Sequence, residues 1–259
     1  MTDQLHHDLA DLREAAPEAL LPSVLIATGL ADGYITHDSP IGPLLVAFNK
    51  RGVSAIDMAG DPAAFETYFA GRFGRPAHPV ASLPRQIVGR LDKAIAEGRP
   101  GGLPIDLSSV TPFQERVLLK TAEIPRGEVR PYGWVAGEID SPSATRAVGS
   151  ALARNPVPVV VPCHRVVRSD GVLGRYSLGE AANKRRLLET EGLDIEAFTG
   201  LSSRGIRLIG SDTTRIYCHP TCKDARRITN THRVEFRSAD EAGRKGYRPC
   251  ERCRPAAAA

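Results

Sequence analysis

Apolar and polar positions change their period several times along the 259 residues, and each change marks an element. From Gly33 to Asp57 the pattern is that of strands. Ile41 to Phe48 and Val53 to Asp57 flank Asn49-Lys50-Arg51-Gly52, which predicts a hairpin. Asp61 followed by Pro62 predicts an N-cap and a first-turn proline ahead of Phe65, Tyr68 and Phe69. Ile87, Leu91 and Ile95 recur at helical spacing, and Gly98 supplies a stop. Residues 31–107 are therefore expected to form an α/β domain with a scaffolding role, ending near the Pro/Gly-rich stretch 99–104. Residues 1–30 are rich in Ala, Leu, Asp and Glu and are broken by Pro17 and Pro22. They predict at most a short helix of unknown role, with His6 and His7 as surface residues.

Thr111-Pro112-Phe113-Gln114 combines an N-cap, a first-turn proline and a capping-box glutamine. The helix it starts should bury Phe113, Val117 and Leu118. Two short helices follow, over about 132–138 and 142–154, with Ser141-Pro142 as the expected cap of the second. Val148, Ala151 and Leu152 form that helix's inner stripe and leave Arg146 facing outward. Such a pair suggests a helix-turn-helix, whose second helix enters a DNA groove.

Val157 to Val161 is a short apolar run between prolines, which reads as a buried segment. It ends in Cys163 and His164. A buried free cysteine is ordinarily inert packing, so an imidazole beside it is what raises the question of chemistry. Turns at Asp170-Gly171 and Gly174 lead to Tyr176 and Ser177. A basic helix then runs from Asn183 to Gly192 and carries Glu191 at its end. Residues 108–192 make the second domain, 193–206 a linker and 207–255 the last segment.

Four of the five cysteines lie in Cys218-x3-Cys222 and Cys250-x2-Cys253. In a reducing compartment this spacing reads as one zinc site with four thiolate ligands rather than two disulfides. The segment is too short and polar to fold well without its metal, and Ala256–Ala259 reads as a frayed tail. The net charge of +4 is unevenly spread. Residues 111–192 carry twelve basic against nine acidic side chains, and residues 204–254 carry thirteen against six. This surplus predicts an anionic partner for the second half of the chain. No apolar stretch is long enough to cross a bilayer, so no membrane association is expected.

The run Pro162-Cys163-His164-Arg165-Val166 occurs with Arg146-Ala147-Val148-Gly149 and Asn155-Pro156 upstream and Leu187-Leu188 to Glu191-Gly192 downstream. Residues 111–192 thereby resemble the catalytic domain of the O6-alkylguanine-DNA alkyltransferases, and residues 33–107 are more weakly similar to that family's N-terminal domain. Cys218-His219-Pro220-Thr221-Cys222 and Arg248-Pro249-Cys250-Glu251-Arg252-Cys253-Arg254-Pro255 resemble the Ada-type zinc-binding methylphosphotriester domain. The implied fold is an α/β domain, then a mainly α domain with a helix-turn-helix, then a small zinc-bound α+β module. The implied activity is single-use transfer of the alkyl group from O6-alkylguanine or O4-alkylthymine in double-stranded DNA to Cys163. In this reading His164 accepts the thiol proton, Glu191 orients the imidazole and Asn155 fixes the segment before the cysteine. Arg146 fills the space left by the flipped base, Tyr132 promotes its rotation, and Tyr176 and Ser177 bind it. Cys218, Cys222, Cys250 and Cys253 hold one Zn2+ with no organic cofactor, and Cys218 accepts a methyl group from a phosphotriester. A monomeric, cytoplasmic, nucleoid-associated bacterial protein is implied. Leu178, where many relatives have a small residue, is expected to narrow the pocket against bulky alkyl groups.

Two other readings compete. A cysteine hydrolase is disfavoured because adjacent residues poorly present side chains to each other across a site. A non-catalytic zinc and helix-turn-helix DNA-damage sensor would leave Cys163 without a task.

Overall fold

The computed structural model describes residues 20–255, which begin with the helix Leu20–Thr28, continuing through Pro22, and lead into a four-stranded sheet. Expectations for residues 1–19, His6 and His7 included, and for Ala256–Ala259 lie outside the described residues. The sheet runs in the order β3-β2-β1-β4, from β1 (Asp32–His37), β2 (Leu44–Asn49), β3 (Gly52–Met58) and β4 (Ala77–Pro79). The expected hairpin joins β2 and β3, with Asn49 opposite Gly52. Asp61 caps the helix Pro62–Phe73 by accepting from Ala63 N, and that helix buries Phe65 and Phe69 but leaves Tyr68 exposed. The helix Arg85–Glu97 buries Ile87, Leu91 and Ile95 and stops at Gly98, whose φ of 58° suits glycine.

Sequence periodicity gave no sign of the buried polar cluster beneath the hairpin. Asn49 Nδ2 donates to both Asp32 and Asp106, Arg75 forks onto Asp32, and Ser54 also bonds Asp32. Arg51 Nε lies 3.2 Å from Asp106, so each carboxylate has an arginine partner, which a buried charge requires.

In the second domain the capping box at Thr111 and Gln114 forms on both sides. The helices Pro112–Ala122, Tyr132–Glu138 and Thr145–Ala153 pack on one another, and Val148, Ala151 and Leu152 are buried as predicted. Ser141 does not cap the last of these. Its hydroxyl bonds Ile139 O instead, and a single 3-10 turn, Pro142–Ala144, leads into the helix. That turn's first bond is the backbone's own, from Ala144 N to Ser141 O, so the hydroxyl is not used as a cap. The apolar run Val157–Val161 is buried throughout and merges with the N-terminal sheet's core.

Residues 193–206, expected as a linker, contain the helix Ile195–Ser203, capped by Asp194. Leu193, Ile195 and Phe198 pack on Val129, Val167 and Leu188. Leu201 and Ile206 pack on the cysteine cluster, so this connection belongs to both cores. The last segment forms a second sheet, β10-β8-β7-β9, of β7 (Leu208–Ser211), β8 (Ile216–Cys218), β9 (Arg233–Phe236) and β10 (Arg248–Pro249). It is docked on residues 128–134. Val129 N donates to Thr221 Oγ1 at 2.9 Å, Lys223 N donates to Glu128, and Trp134 Nε1 donates to Cys253 O at 3.0 Å. No helix among the described residues is long and apolar enough to cross a membrane.

Candidate active site and metal centre

After Pro162 the apolar run gives way to a 3-10 turn, Cys163–Arg165, which leads into β6 (Val166–Val167), paired in parallel with β5 (Arg130–Pro131). Asn155 shapes the approach to it. Its Oδ1 accepts from Val157 N at 3.0 Å, while Nδ2 donates to Val161 O at 2.9 Å and to Cys163 Sγ at 3.4 Å. Within that loop Val159 is held at φ 71°. A β-branched residue in the left-handed region is strained by about 1–2 kcal/mol, and it persists here because its surroundings fix it.

The Cys163 thiol is nearly buried and has Ser177 Oγ 3.6 Å from its sulfur. It floors a cavity of about 290 Å3 lined by Tyr132, Gly149, Leu152, Arg175, Tyr176 and Ser177 among others. Burial pushes the thiol's pKa up, while the contacts from Asn155 and Ser177 and the charge of Lys184 pull against this. Burial likewise raises the pKa of Tyr132, and that of Tyr176 well above the ordinary value. The Tyr176 hydroxyl is buried without a well-formed hydrogen bond, although the Val159 backbone helps to hold it.

Behind the cysteine, His164 Nε2 meets Glu191 Oε1 at 2.8 Å, and His164 Nδ1 is buried with no hydrogen-bond partner among the described residues. Glu191 also takes a fork from Arg165, whose Nη2 lies 2.7 Å from Oε1 and Nε 2.9 Å from Oε2. Burial alone would raise the Glu191 carboxyl, but His164 and Arg165 overcome it and hold the pKa at about 2. For His164 burial dominates and keeps the pKa low despite Glu191.

Of the residues picked out in the sequence, Cys163, His164, Glu191, Asn155, Tyr132, Tyr176 and Ser177 thus come together. Arg146 stands apart, exposed at the start of the helix whose Gly149 and Leu152 line the cavity. Leu178 does not narrow the pocket. Its side chain is 1% exposed and packed in the main core, because the turn after Ser177 directs it inward. Two residues of the site escaped the sequence reading. Arg165 also bonds Ile124 O and Glu97 O, and Lys184 is buried with its ammonium on Val166 O. Lys184 had a readable signal, since it stands three, four and seven residues before Leu187, Leu188 and Glu191 on the helix's inner face.

Gly98 makes room for Arg165. A Cβ there would lie 2.3 Å from Arg165 Nη2 and 2.9 Å from Glu191 Oε1. Gly98→Ala is therefore expected to destabilise the fold by more than about 1 kcal/mol, the usual penalty of a left-handed alanine, because the fork must also move. Urea unfolding of the two proteins at neutral pH checks this, and an unchanged midpoint refutes it.

The four remaining thiols, Cys218, Cys222, Cys250 and Cys253, are buried with their sulfurs all within 4.8 Å of one another. Four sulfurs at about 2.3 Å from a tetrahedral zinc lie roughly 3.8 Å apart, so the set closes on the metal by moving inward by up to about 1 Å. The Cys218 thiol is pushed up by its bonds to Cys222 and Cys253 and by burial. So crowded a set needs a cation to ionise together, and the donors fit zinc. Beside Cys218 and Cys250 opens a cleft of about 620 Å3, edged by Arg227, His232, Arg248 and Arg252, the last two ion-paired with Glu251 and Asp224 on the same rim.

Comparison with known proteins agrees with this division. Residues 112–193 match a family model for the DNA-binding domain of 6-O-methylguanine DNA methyltransferase, and residues 202–256 match one for the metal-binding domain of Ada. The methylated-DNA–protein-cysteine methyltransferase of Mycobacterium leprae is 37% identical over 160 residues, covering 60% of this chain and 88% of that protein. The bifunctional transcriptional activator/DNA repair enzyme Ada of Escherichia coli is 35% identical over 167 residues, covering 62% of this chain. That match spans only 46% of Ada's length. Among solved structures, Mycobacterium tuberculosis OGT in complex with DNA superposes with a TM-score of 0.50 at 33% identity, over 64% of this chain and 98% of that one. With the buried Cys163 and its neighbours on one domain and a four-cysteine zinc-type cluster on the next, the chain belongs to the methylated-DNA–protein-cysteine methyltransferase family.

Proposed function

We propose that the protein repairs DNA by direct reversal, taking the alkyl group of O6-alkylguanine, and of O4-alkylthymine, onto Cys163. One observation carries the reading: a nearly buried thiol floors a cavity, with Asn155 and Ser177 at its sulfur and a His164–Glu191 pair behind it. A stacked base cannot reach such a thiol, so the damaged nucleotide must leave the duplex. Tyr132, at the cavity wall, promotes that rotation, and Arg146 on the outer face fills the gap. Ser177 and Tyr176 bind the flipped base.

His164 takes the thiol proton through a bridging water, a role supported by the unpartnered Nδ1. Glu191 fixes the ring through Nε2. The thiolate attacks the alkyl carbon, forming the S–C bond as the C–O bond breaks with its electron pair on the base oxygen. A proton from Tyr176 to N3 then lets guanine depart neutral. A thioether offers no easy leaving step, so each molecule acts once, and one chain carries every residue needed to act as a monomer.

The zinc module acts on a different lesion. When bound, a single zinc keeps the four thiolates ionised and nucleophilic. The Cys218 thiolate takes the methyl group of a phosphotriester lying in the cleft, the S–C bond forming as the methyl C–O bond breaks with its electron pair left on the phosphate oxygen as an ordinary phosphodiester. The cysteine site becomes less negative, which strengthens its salt-dependent hold on DNA. Intact-mass measurement tests both acceptors. An O6-methylguanine duplex should add one methyl per molecule, and none to Cys163→Ala. A methylphosphotriester duplex should add one to the parent and none to folded Cys218→Ala. No gain in the parent, or equal gain in the variants, overturns the corresponding assignment.

A further inference from the structure

Residues 127–138 touch both candidate centres. On one side, Gly127 N donates to Glu191 Oε2 at 3.1 Å, and β5 pairs with β6 just past the Cys163–Arg165 turn. The helix Tyr132–Glu138 follows β5 directly and brings Tyr132 to the cavity wall. It packs on the helix Thr145–Ala153, whose Gly149 and Leu152 line the same cavity. On the other side the same residues meet the loops that hold the four cysteines. Val129 N donates to Thr221 Oγ1, and that hydroxyl donates back to Val129 O at 3.3 Å. Glu128 accepts from Lys223 N at 3.0 Å, Trp134 donates to Cys253 O, and Arg254 Nη2 lies 2.6 Å from Glu138 Oε2. Each of these four partners is a cysteine of the cluster or the residue next to one. Glu128, Val129, Trp134 and Thr221 are all buried, so a donor or acceptor among them that loses its partner has no ready substitute. The loops in turn are ordered by the metal, because the core around the cysteines is small.

We propose that the loaded cysteine module is a brace for the alkylguanine site, fixing Tyr132 and the strand beside the Cys163 turn through Thr221, Cys253 and Arg254. The inference rests on Cys163 being the alkyl acceptor and Tyr132 the residue that turns the base. Thr221 and Trp134 are positioning residues, since neither lines the cavity. The contacts grip the segment before Tyr132 at Glu128 and Val129, one turn beyond it at Trp134, and at the helix end at Glu138. A duplex pressing on Tyr132 meets a fixed helix when the module is loaded and a yielding one when it is not. The metal state of one domain thereby sets the rate of transfer in the other.

Two measurements on the full chain test this. Amide hydrogen exchange, read without DNA, should quicken about tenfold over residues 127–138 when the metal is chelated, while the β2–β3 hairpin keeps its rate. No quickening over 127–138, or an equal quickening throughout the chain, overturns the brace. Single-turnover methyl uptake by Cys163 from an O6-methylguanine duplex, at saturating DNA, reads the consequence. Thr221→Val in its zinc-loaded form should react about five- to tenfold more slowly than the parent, and Thr221→Ser, which keeps the hydroxyl, should restore the rate. After chelation the parent and Thr221→Val should share one slow rate. A full rate in loaded Thr221→Val, or a difference that persists after chelation, refutes the proposal. If Thr221→Val does not hold its metal, Trp134→Phe, which loses only the indole N–H contact, is judged by the same outcomes. A protein that takes no methyl from DNA in any form rejects the repair reading, and hydrogen exchange then decides the brace alone.

Discussion

Glu191→Gln is expected to lower the stability of the protein by about 3 kcal/mol at neutral pH. The carboxyl titrates at about 2 against an ordinary 4.5, a difference worth roughly 3 kcal/mol at 1.36 kcal/mol per unit. Removing one partner of a buried ion pair independently costs about 3–5 kcal/mol, because the other charge is stranded. Here the stranded charge is Arg165, which keeps only the carbonyls of Ile124 and Glu97. The folded-state pKa is depressed, so Glu191 contributes fully above about pH 5 and its contribution is lost as pH falls through about 2. The two proteins should therefore differ most near neutrality and converge in acid. Urea midpoints at pH 7, 4 and 2.5 measure this. Equal midpoints at pH 7 would show that Arg165 finds other compensation. The variant should also take up alkyl groups more slowly, since His164 loses the group that orients it.

Removal of zinc should produce the other large change, confined at first to residues 207–255. Four thiols with sulfurs within 4.8 Å form most of that module's second cluster, together with Ile209 and Ala225. Structural zinc sites of this kind contribute on the order of 10 kcal/mol to folding, far more than so small a core supplies. Trp134, the single tryptophan of the chain, reports the event. Its indole N–H bonds the Cys253 carbonyl, while its ring sits in the main core over Arg130. Chelation should shift its emission modestly to the red and open residues 207–255 to protease, with the core of residues 31–192 still folded. An unchanged spectrum and an intact module would mean that the thiols pack without metal.

The sequence announced the elements whose signals are local. Asp61-Pro62, Thr111-Pro112-Phe113-Gln114 and Gly98 set helix ends through their own backbone preferences, and all three are used as expected. Cys163, His164 and Glu191 were legible because their neighbours form a recognisable set, and the cysteine pairs because metal ligation fixes spacing. What stayed hidden depends on residues distant in the chain. The Asp32, Asn49, Arg75 and Asp106 cluster joins four separate segments, and no periodicity encodes it. Lys184 is a separate case: its helical spacing to Leu187, Leu188 and Glu191 marks the inner face, but three consecutive basic residues read as a solvated face and outweigh that signal. Leu178 misled for the opposite reason. Its place beside Ser177 suggested the pocket, but one residue along an irregular turn reverses the direction of a side chain.

Residues 31–107, which hold none of the proposed reactive residues, bond directly to the segments that carry them. Ile56 N donates to Pro156 O, Arg72 donates to Arg154 O, and Glu97 O receives Arg165. Each contact reaches the loop before Cys163 or the turn that contains it. In evolutionary terms the heritable unit of this chemistry is the pair of domains. Recombination that transplanted residues 108–192 alone would carry over the whole proposed reactive set around Cys163 and leave its rear support behind. Insertions and losses that spare the reaction should fall outside the span from β1 to Gly192.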